Sequence, residues 1–363
     1  MNPKTFIGFT VITAIVVAAA SFSVASRYSV HKVGLEDKPV LPGFAEKASS
    51  VTEIIVQDAK TKLTVKRVGD KWVLADRQGY TASNEVLSDL LLGLSELRLR
   101  EAKTKKPKLY ERLQVEDLKG DKAKSILLTV KSKSGELAKL IIGKINADVA
   151  GPSNSGRYIR MPGDAQSWLA SGRLDIPGAI NKWVEPEFLD VASKRITNVV
   201  VSHPDGQKMI VSRVDKEKFK IDNMPAGWKI EYQSDIDNMG DGLDKLELED
   251  VMARGQIKFP ADKTIKTEIK TNDGLIMNVN MVDVDDGNFW AELTARTSDT
   301  ASEAIKKEAA AINAKVSKWV YQLPAHKYRY MSRKHSDVLK DPSKDKDKDK
   351  DKDKDKDKDK DKK

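Results

Sequence analysis

One segment of the chain occurs twice, and that recurrence restricts the fold more than any other feature. Residues 51–76 read VTEIIVQDAKTKLTVKRVGDKWVLAD, and residues 196–222 read ITNVVVSHPDGQKMIVSRVDKEKFKID. Each opens on an alternating apolar run, with Ile54 and Val56 in the first and Val199 and Val201 in the second. A polar turn follows, then a second run closing on an aromatic residue, Trp72 or Phe219. Self-similarity at long spacing is the signature of a duplicated structural unit. Alternation with period two is the signature of strands with one buried face. The expected fold class is therefore α+β: two tandem similar units of antiparallel β-hairpins with a packed helix each, preceded by one N-terminal transmembrane helix.

Residues 6–25 (FIGFTVITAIVVAAASFSVA) carry no charge, which is about the length a helix needs to cross a hydrocarbon core. Lys4 precedes them, and Arg27 and Lys32 follow. The positive charge on the short leading segment favours its retention in the cytoplasm, with the rest exported. Residues 1–26 are read as cytoplasmic N-terminus and signal-anchor in the inner membrane, with the bulk of the chain in the periplasm. The alternative is a cleavable signal peptide, for which Ser23-Val24-Ala25 supplies a small-x-small site. Residues 27–50, with Pro39, Pro42 and Gly43, read as a stalk on which Val40, Leu41 and Phe44 are able to dock.

The first unit is expected over residues 51–190. Its strands lie near residues 52–57, 62–68, 71–75, 126–131, 137–142 and 157–160. A helix begins at Ser83, with Val86, Leu87, Leu90, Leu91, Leu94 and Leu97 at threes and fours; Ser83 is its expected N-cap. The basic segment 98–124, with Lys103, Lys105, Lys106 and Lys108 around Pro107, reads as a solvated connecting loop. The sharper alternative is a patch that contacts anionic lipid or another polyanion. The second unit is expected over residues 191–332. Its helix is placed at 235–248, its second hairpin turns at Asn272-Asp273-Gly274, and an Ala- and Lys-rich helix spans 301–319. Lys318-Trp319-Val320 echoes Lys182-Trp183-Val184. Residues 333–363 end in a Lys-Asp alternation with no apolar residue to bury, and read as a disordered tail.

Site chemistry is sparse. With no cysteine, the chain has no disulfide framework, thiolate metal site or cysteine nucleophile. His31, His203, His326 and His335 lack the spacing of a helical metal pair. No Gly-x-Ser-x-Gly elbow is present. The loop GPSNSG at 151–156 lacks a Gly-Lys-Ser/Thr ending and reads as a plain turn. Asp283, Asp285 and Asp286 before Gly287 begin like a calcium loop, but Thr294 stands where the twelfth-position Glu belongs. The six tryptophans, Trp72, Trp168, Trp183, Trp228, Trp290 and Trp319, read as packing residues of the core and between the units. A net charge of +9 invites a nucleic-acid reading. Single-strand binding, however, needs aromatics interleaved with cations, and aromatics are only 6% of the chain. No nucleic acid, cofactor, metal or catalytic residue is expected.

The pattern resembles the bacterial family catalogued as domain of unknown function 4340. The matching positions are Lys71–Leu74 and residues 80–97, 140–143 and 157–160, with Trp319-Val320-Tyr321-Gln322-Leu323-Pro324 like the family's closing motif. The resemblance covers residues 50–330. The second unit departs from it with Phe219 and Asp222 in place of Trp72 and Asp76. Members are frequently encoded beside permease and gliding-motility-like components of ABC transport systems. The resemblance thus implies a non-catalytic, membrane-anchored extracytoplasmic accessory protein, held in the membrane by residues 6–25 and partnered by an ABC-type permease/ATPase complex. The competing expectation is a periplasmic ligand-binding module for a glycan or lipid in a groove between the two units. A hydrolase with carboxylates converging across the units is a third.

Overall fold

The structure, a computed structural model, describes residues 37–147, 156–216 and 218–340. The expected membrane span at 6–25, most of the loop at 151–156 and the Lys-Asp alternation from Lys344 lie outside the described residues. Among the described residues no helix is long and apolar enough to cross a membrane. The chain is α+β, built mainly from antiparallel strands.

The described residues divide into two compact units, residues 37–76 with 84–176, and Arg77–Ser83 with 177–340. The division falls at Ile176/Pro177, upstream of the expected 190/191. Side chains explain the shift. Trp183, 1% exposed, donates its indole N–H to the Pro177 carbonyl (3.1 Å). Phe188 stacks on Tyr321 with ring centroids 3.8 Å apart.

The strands are β1 (Val51–Gln57), β2 (Lys62–Val68), β3 (Lys71–Leu74), β4 (Tyr80–Thr81), β5 (Arg98–Ala102), β6 (Ile126–Ser132), β7 (Gly135–Asn146), β8 (Gly156–Arg160) and β9 (Ser167–Ser171). They continue as β10 (Glu187–Leu189), β11 (Ile196–Ser202), β12 (Lys208–Arg213), β13 (Phe219–Ile221), β14 (Lys229–Ile230), β15 (Leu246–Glu247) and β16 (Asp250–Ala253). The last are β17 (Ile265–Thr271), β18 (Leu275–Asp283), β19 (Phe289–Thr297), β20 (Trp319–Gln322) and β21 (Leu339–Lys340). In the first unit the sheet runs β3-β2-β1-β6-β7-β8-β9-β5. In the second it runs β13-β12-β11-β17-β18-β19-β20-β16. Position for position the two orders are the same, and the pairings within each are antiparallel.

Alternation sets the register. In the first unit Ile54 faces Val65, which faces Leu74, and on its other side Ile54 faces Val130, then Ala138. All five are buried. In the second unit Val199 faces Val211, then Ile221, and on its other side Ile269, then Met277. These five are buried as well. The pairing shifts by one residue at the start of β1, between Val51 and Glu53, and at the start of β11, between Ile196 and Asn198.

Each sheet buries one face under helices and loops. The helix Asn84–Glu96 brings Leu87, Leu90 and Leu94 to the first core. The opposite face is partly covered by the segment linking the last strand of the order to the next. Between β5 and β6, Tyr110 and Val115 pack on Ile141. Between β16 and β17, Ile257 and Phe259 pack on the cluster of Val282, Trp290 and Val320.

Edge strands are covered too, which blunts a ready template for unwanted pairing. Residues 38–40 lie along β5: Leu99 N–H donates to the Lys38 carbonyl (2.9 Å) and Val40 N–H to the Leu97 carbonyl (2.8 Å). On β16, Arg77 pairs with Asp250 through two bonds (2.7 and 2.9 Å), and Gln78 Oε1 accepts from Ala253 N–H (3.0 Å). The docking expected of Val40 and Phe44 is present, both being buried.

Several expectations need correcting. The helix placed at 235–248 is only Gln233–Asp237, followed by a 3-10 turn Asn238–Asp241 and then β15. Two close contacts select glycine there. A Cβ on Gly240 would lie 2.5 Å from the Phe219 ring, and one on Gly242 2.5 Å from Met331. Leu243, Leu246 and Leu248 are buried all the same, so their helical spacing serves a turn and a strand. The basic segment 98–124 is not a plain loop. It contains β5, the 3-10 turn Pro107–Leu109 and the helical turn Tyr110–Leu113. The helix expected over 301–319 is Glu303–Val316, and Trp319 begins β20. By strand order β20 corresponds to Ser167–Ser171, not to Trp183, so the Lys-Trp-Val echo does not mark equivalent positions. Residues 333–340 belong to the body, not the tail. Arg333 binds Asp235 (2.7 Å), Val338 is buried and β21 pairs with β14. Ser83 donates its hydroxyl to Glu185 (3.0 Å).

Gly93, inside the helix Asn84–Glu96, gives a test of sign. Alanine in place of a helical glycine ordinarily gains about 1 kcal/mol. Here its Cβ would lie 2.3 Å from the Arg173 carbonyl oxygen. Gly93→Ala is expected to cost about 1–3 kcal/mol through overpacking. A urea midpoint below that of the parent would agree, and a raised midpoint would show that the helix and residue 173 separate freely.

Candidate functional site

Each unit is concave where its first strand starts and its second strand ends. In the first unit the 3-10 turn Ala48–Ser50 leads into β1. Together with Arg67, Gly69 and the turn at residues 132–134, it borders a cleft of about 550 Å³. In the second unit the 3-10 turn Ser193–Arg195 leads into β11. Together with Thr197, Arg213, Lys218 and Asp237 among others, it borders a cleft of about 970 Å³.

The same residue type anchors both. Arg67 stands opposite Trp72 across β2 and β3, and Arg213 stands opposite Phe219 across β12 and β13. Their use differs. The Arg213 guanidinium lies 4.4 Å from the centroid of the Phe219 ring. It donates to the carbonyls of Ile196 (2.6 Å), Ser193 (2.6 Å) and Lys216. It is thereby committed to the backbone of its own unit. Arg67 is exposed and makes one long bond, to the Ser49 carbonyl at 3.5 Å. The first cleft also differs in charge. Its lining adds Lys133 and no carboxylate, whereas the second is lined by Asp215, Asp237 and Asp241 together with Lys194, Arg213, Lys216 and Lys218. Around Arg67 stand five hydroxyl side chains, Ser49, Ser50, Thr52, Ser132 and Ser134. Ser50 donates to the Lys47 carbonyl (2.7 Å), and Ser132 and Ser134 share a bond (2.8 Å).

A third concave region, about 530 Å³, lies beside His203, Asp205, Asp283, Asp286, Tyr328 and Lys334. His203 is 8% exposed, with Nε2 3.4 Å from the Arg333 carbonyl. Burial lowers its pKa below the ordinary 6.5, against the opposing pull of that carbonyl. His335 is lowered by burial as well, and its Nε2 is buried with no partner. The acidic turn expected near 283–286 is a hairpin turn between β18 and β19. Asp283 Oδ1 accepts from Gly287 N–H (2.9 Å), and Asp286 has φ 47°. His326 is exposed and lies edge-on to Tyr330. Among the described residues no group of three or more His, Cys, Asp or Glu is placed to hold a metal ion.

Other polar side chains inside the units are held by structural contacts, although Glu116 Oε2, Asn181 Oδ1 and Arg333 Nε are buried without a hydrogen-bond partner. Arg160, 3% exposed, donates to the Val115 and Asp164 carbonyls and to Asp117, and lies 4.6 Å from the Tyr110 ring. Lys327 donates to the Asp241 (2.8 Å) and Asp244 carbonyls, and burial lowers its pKa. Tyr80 lies edge-on to Trp319, and burial pushes its hydroxyl up to about 12. Trp183 and Trp290 are buried and the other four tryptophans are half-buried. Sequence reasoning missed both arginine clefts. The signal was available in the repeat, where Lys-Arg-Val at 66–68 aligns with Ser-Arg-Val at 212–214.

The model of the family described as Domain of unknown function (DUF4340) matches residues 72–267. No curated protein matches the chain.

The two arginines are expected to separate in a stability measurement. Arg213→Ala removes several backbone bonds and should cost about 2–4 kcal/mol, whereas Arg67→Ala should stay within about 0.5 kcal/mol. Chemical denaturation of both variants checks the difference, and equal losses would contradict it. The buried His203 and the half-buried His335 set a pH dependence. Their folded pKa values lie below the unfolded 6.5, so the unfolded chain binds more protons in that interval. Stability should therefore fall as pH drops through 6.5 towards the folded values. The fall should be shallower in the double variant His203→Gln, His335→Gln, as followed by thermal melts across the interval.

Proposed function

Since the chain belongs to the family described as Domain of unknown function (DUF4340), we propose that it is a membrane-tethered extracytoplasmic accessory subunit of an ABC-type transport system, acting by binding and not by catalysis. Residues 6–25 form its single membrane-spanning anchor, and both units stand on the periplasmic side of the inner membrane. The units are copies of one ancestral unit, a reading supported by their common strand order and by the matching one-residue shifts at Val51/Glu53 and Ile196/Asn198.

The observation that carries the binding role is the open face of the second sheet. Beside the apolar cluster of Val282, Trp290 and Val320, it carries a group of polar side chains that pair with one another. Arg296 binds Glu268 (2.6 Å), which also meets Lys270 (3.2 Å), while Asn280 binds Glu292 (2.9 Å), which meets Arg254 (3.3 Å). Exposed pairs of this kind contribute little to stability. Alternating charges on a sheet face do offer a partner protein a complementary surface and a defined register.

Crosslinking in intact cells, followed by affinity purification of the full chain from solubilised membranes, tests the reading. Permease and ATPase subunits should be recovered with it. They should be lost when residues 2–25 are replaced by a cleavable signal. Recovery of the chain without any transport component would overturn the proposal.

A further inference from the structure

We propose that the cleft of the first unit binds a phosphate-bearing polyol, with Arg67 and Lys133 holding the phosphate and the surrounding hydroxyls receiving the polyol. This inference does not rest on the transport reading. It rests on a comparison internal to the chain.

The arginine at the end of the second strand occupies the same place in both units. In the second it is saturated: Arg213 spends its donors on three backbone carbonyls at close range and covers an aromatic ring. In the first, a single 3.5 Å bond leaves most of the Arg67 fork to solvent. The first unit does not need that guanidinium for its own backbone. An arginine fork offers paired donors that match the oxygens of a phosphate, and a nearby ammonium adds a point charge.

Charge selects the ligand's sign. Arg67 and Lys133 are the charged residues of the lining, and neither Asp nor Glu stands among them. The second cleft mixes Asp215, Asp237 and Asp241 with Lys194, Arg213, Lys216 and Lys218, so its cations share the lining with carboxylates and it serves as an internal comparison. Hydroxyls select the remainder of the ligand. Ser49, Ser50, Thr52, Ser132 and Ser134 can donate to or accept from a polyol, and the apolar lining is only Val51 with the stems of the long side chains. About 550 Å³ accommodates a phosphate and a short polyol, within the range of small-ligand sites. A phosphodiester or monoester on glycerol has this chemistry, whether it is a lipid headgroup or a soluble polyol phosphate.

The chain has no cysteine, so Ser134→Cys in the full-length protein gives a unique thiol at the cleft. Its maleimide labelling rate is measured in phosphatidylcholine liposomes with glycerol 1-phosphate added, and separately in phosphatidylglycerol liposomes with none added. Ser49→Cys repeats the measurement from the 3-10 turn. Labelling is expected to slow severalfold and saturably. Adding Arg67→Ala or Lys133→Ala should weaken the apparent affinity about tenfold, as loss of a charge-assisted contact does. Protection in phosphatidylglycerol liposomes assigns the lipid headgroup as the source. Protection by the soluble probe alone assigns a free polyol phosphate. Absence of protection in both arms, or protection that survives the double variant Arg67→Ala, Lys133→Ala, overturns the proposal. Arg213→Ala serves as a folding control, because it should lower the melting temperature without changing protection.

Discussion

The row of side chains through Ile54, Val65, Leu74, Val130 and Ala138 ties five strands to one register. A slip of one residue would turn every one of them to the opposite face and bring Glu53 and Lys66, now paired at the surface, towards the core. The row through Val199, Val211, Ile221, Ile269 and Met277 acts alike in the second unit. With register held, the positions of the turns follow. So do the ends of β2 and β12, where Arg67 and Arg213 emerge. The clefts are a by-product of strand registration, which is why they recur at the same end of each sheet.

Irregular segments are attached to these sheets by buried or half-buried cations, each donating to two or more backbone carbonyls. Arg160 ties the connection after Tyr110 to β8, Lys327 closes the carbonyls of the turn after Asn238–Asp241, and Arg213 holds the 3-10 turn before β11. A buried donor without a partner costs more than a bond gains, so such positions are costly to leave half made. Against that background Arg67 is the exception. It occupies an equivalent position with its donors mostly unspent.

How much of this was legible in the sequence depended on the length of the pattern. The hairpins β1–β2, β6–β7 and β17–β18 were readable because each of these strands runs for seven residues or more, long enough for its apolar positions to stand out between polar turns. The helix Asn84–Glu96 was readable from its leucines at threes and fours, and Glu303–Val316 from its Ala- and Lys-rich composition. The four strands at the far end of the two sheets were not. β5, β9, β16 and β20 have four or five residues each, and Arg98 and Arg100 look like loop cations until β9 is seen beside them. Leu243, Leu246 and Leu248 misled because burial with threefold spacing suits a helix and a folded-back turn equally. Arg67 was missed for another reason. The repeat aligns it with Arg213, but what sets it apart is the bonding that Arg213 makes and it does not, which an alignment of letters does not carry.

The lead-in at residues 38–40 also has a mechanical side. Any pull along the N-terminal segment enters the body there, through the bonds of Val40 to Leu97 and of Leu99 to Lys38. Behind them sits Phe44, 3% exposed, packed near the helix that carries Leu87 and Leu94. Load therefore reaches a short strand contact at the margin of the sheet before it reaches the registered rows at its middle. Together with the contacts of Asp37 to Arg98 and Arg100, those two bonds lie between the leading segment and the registered core.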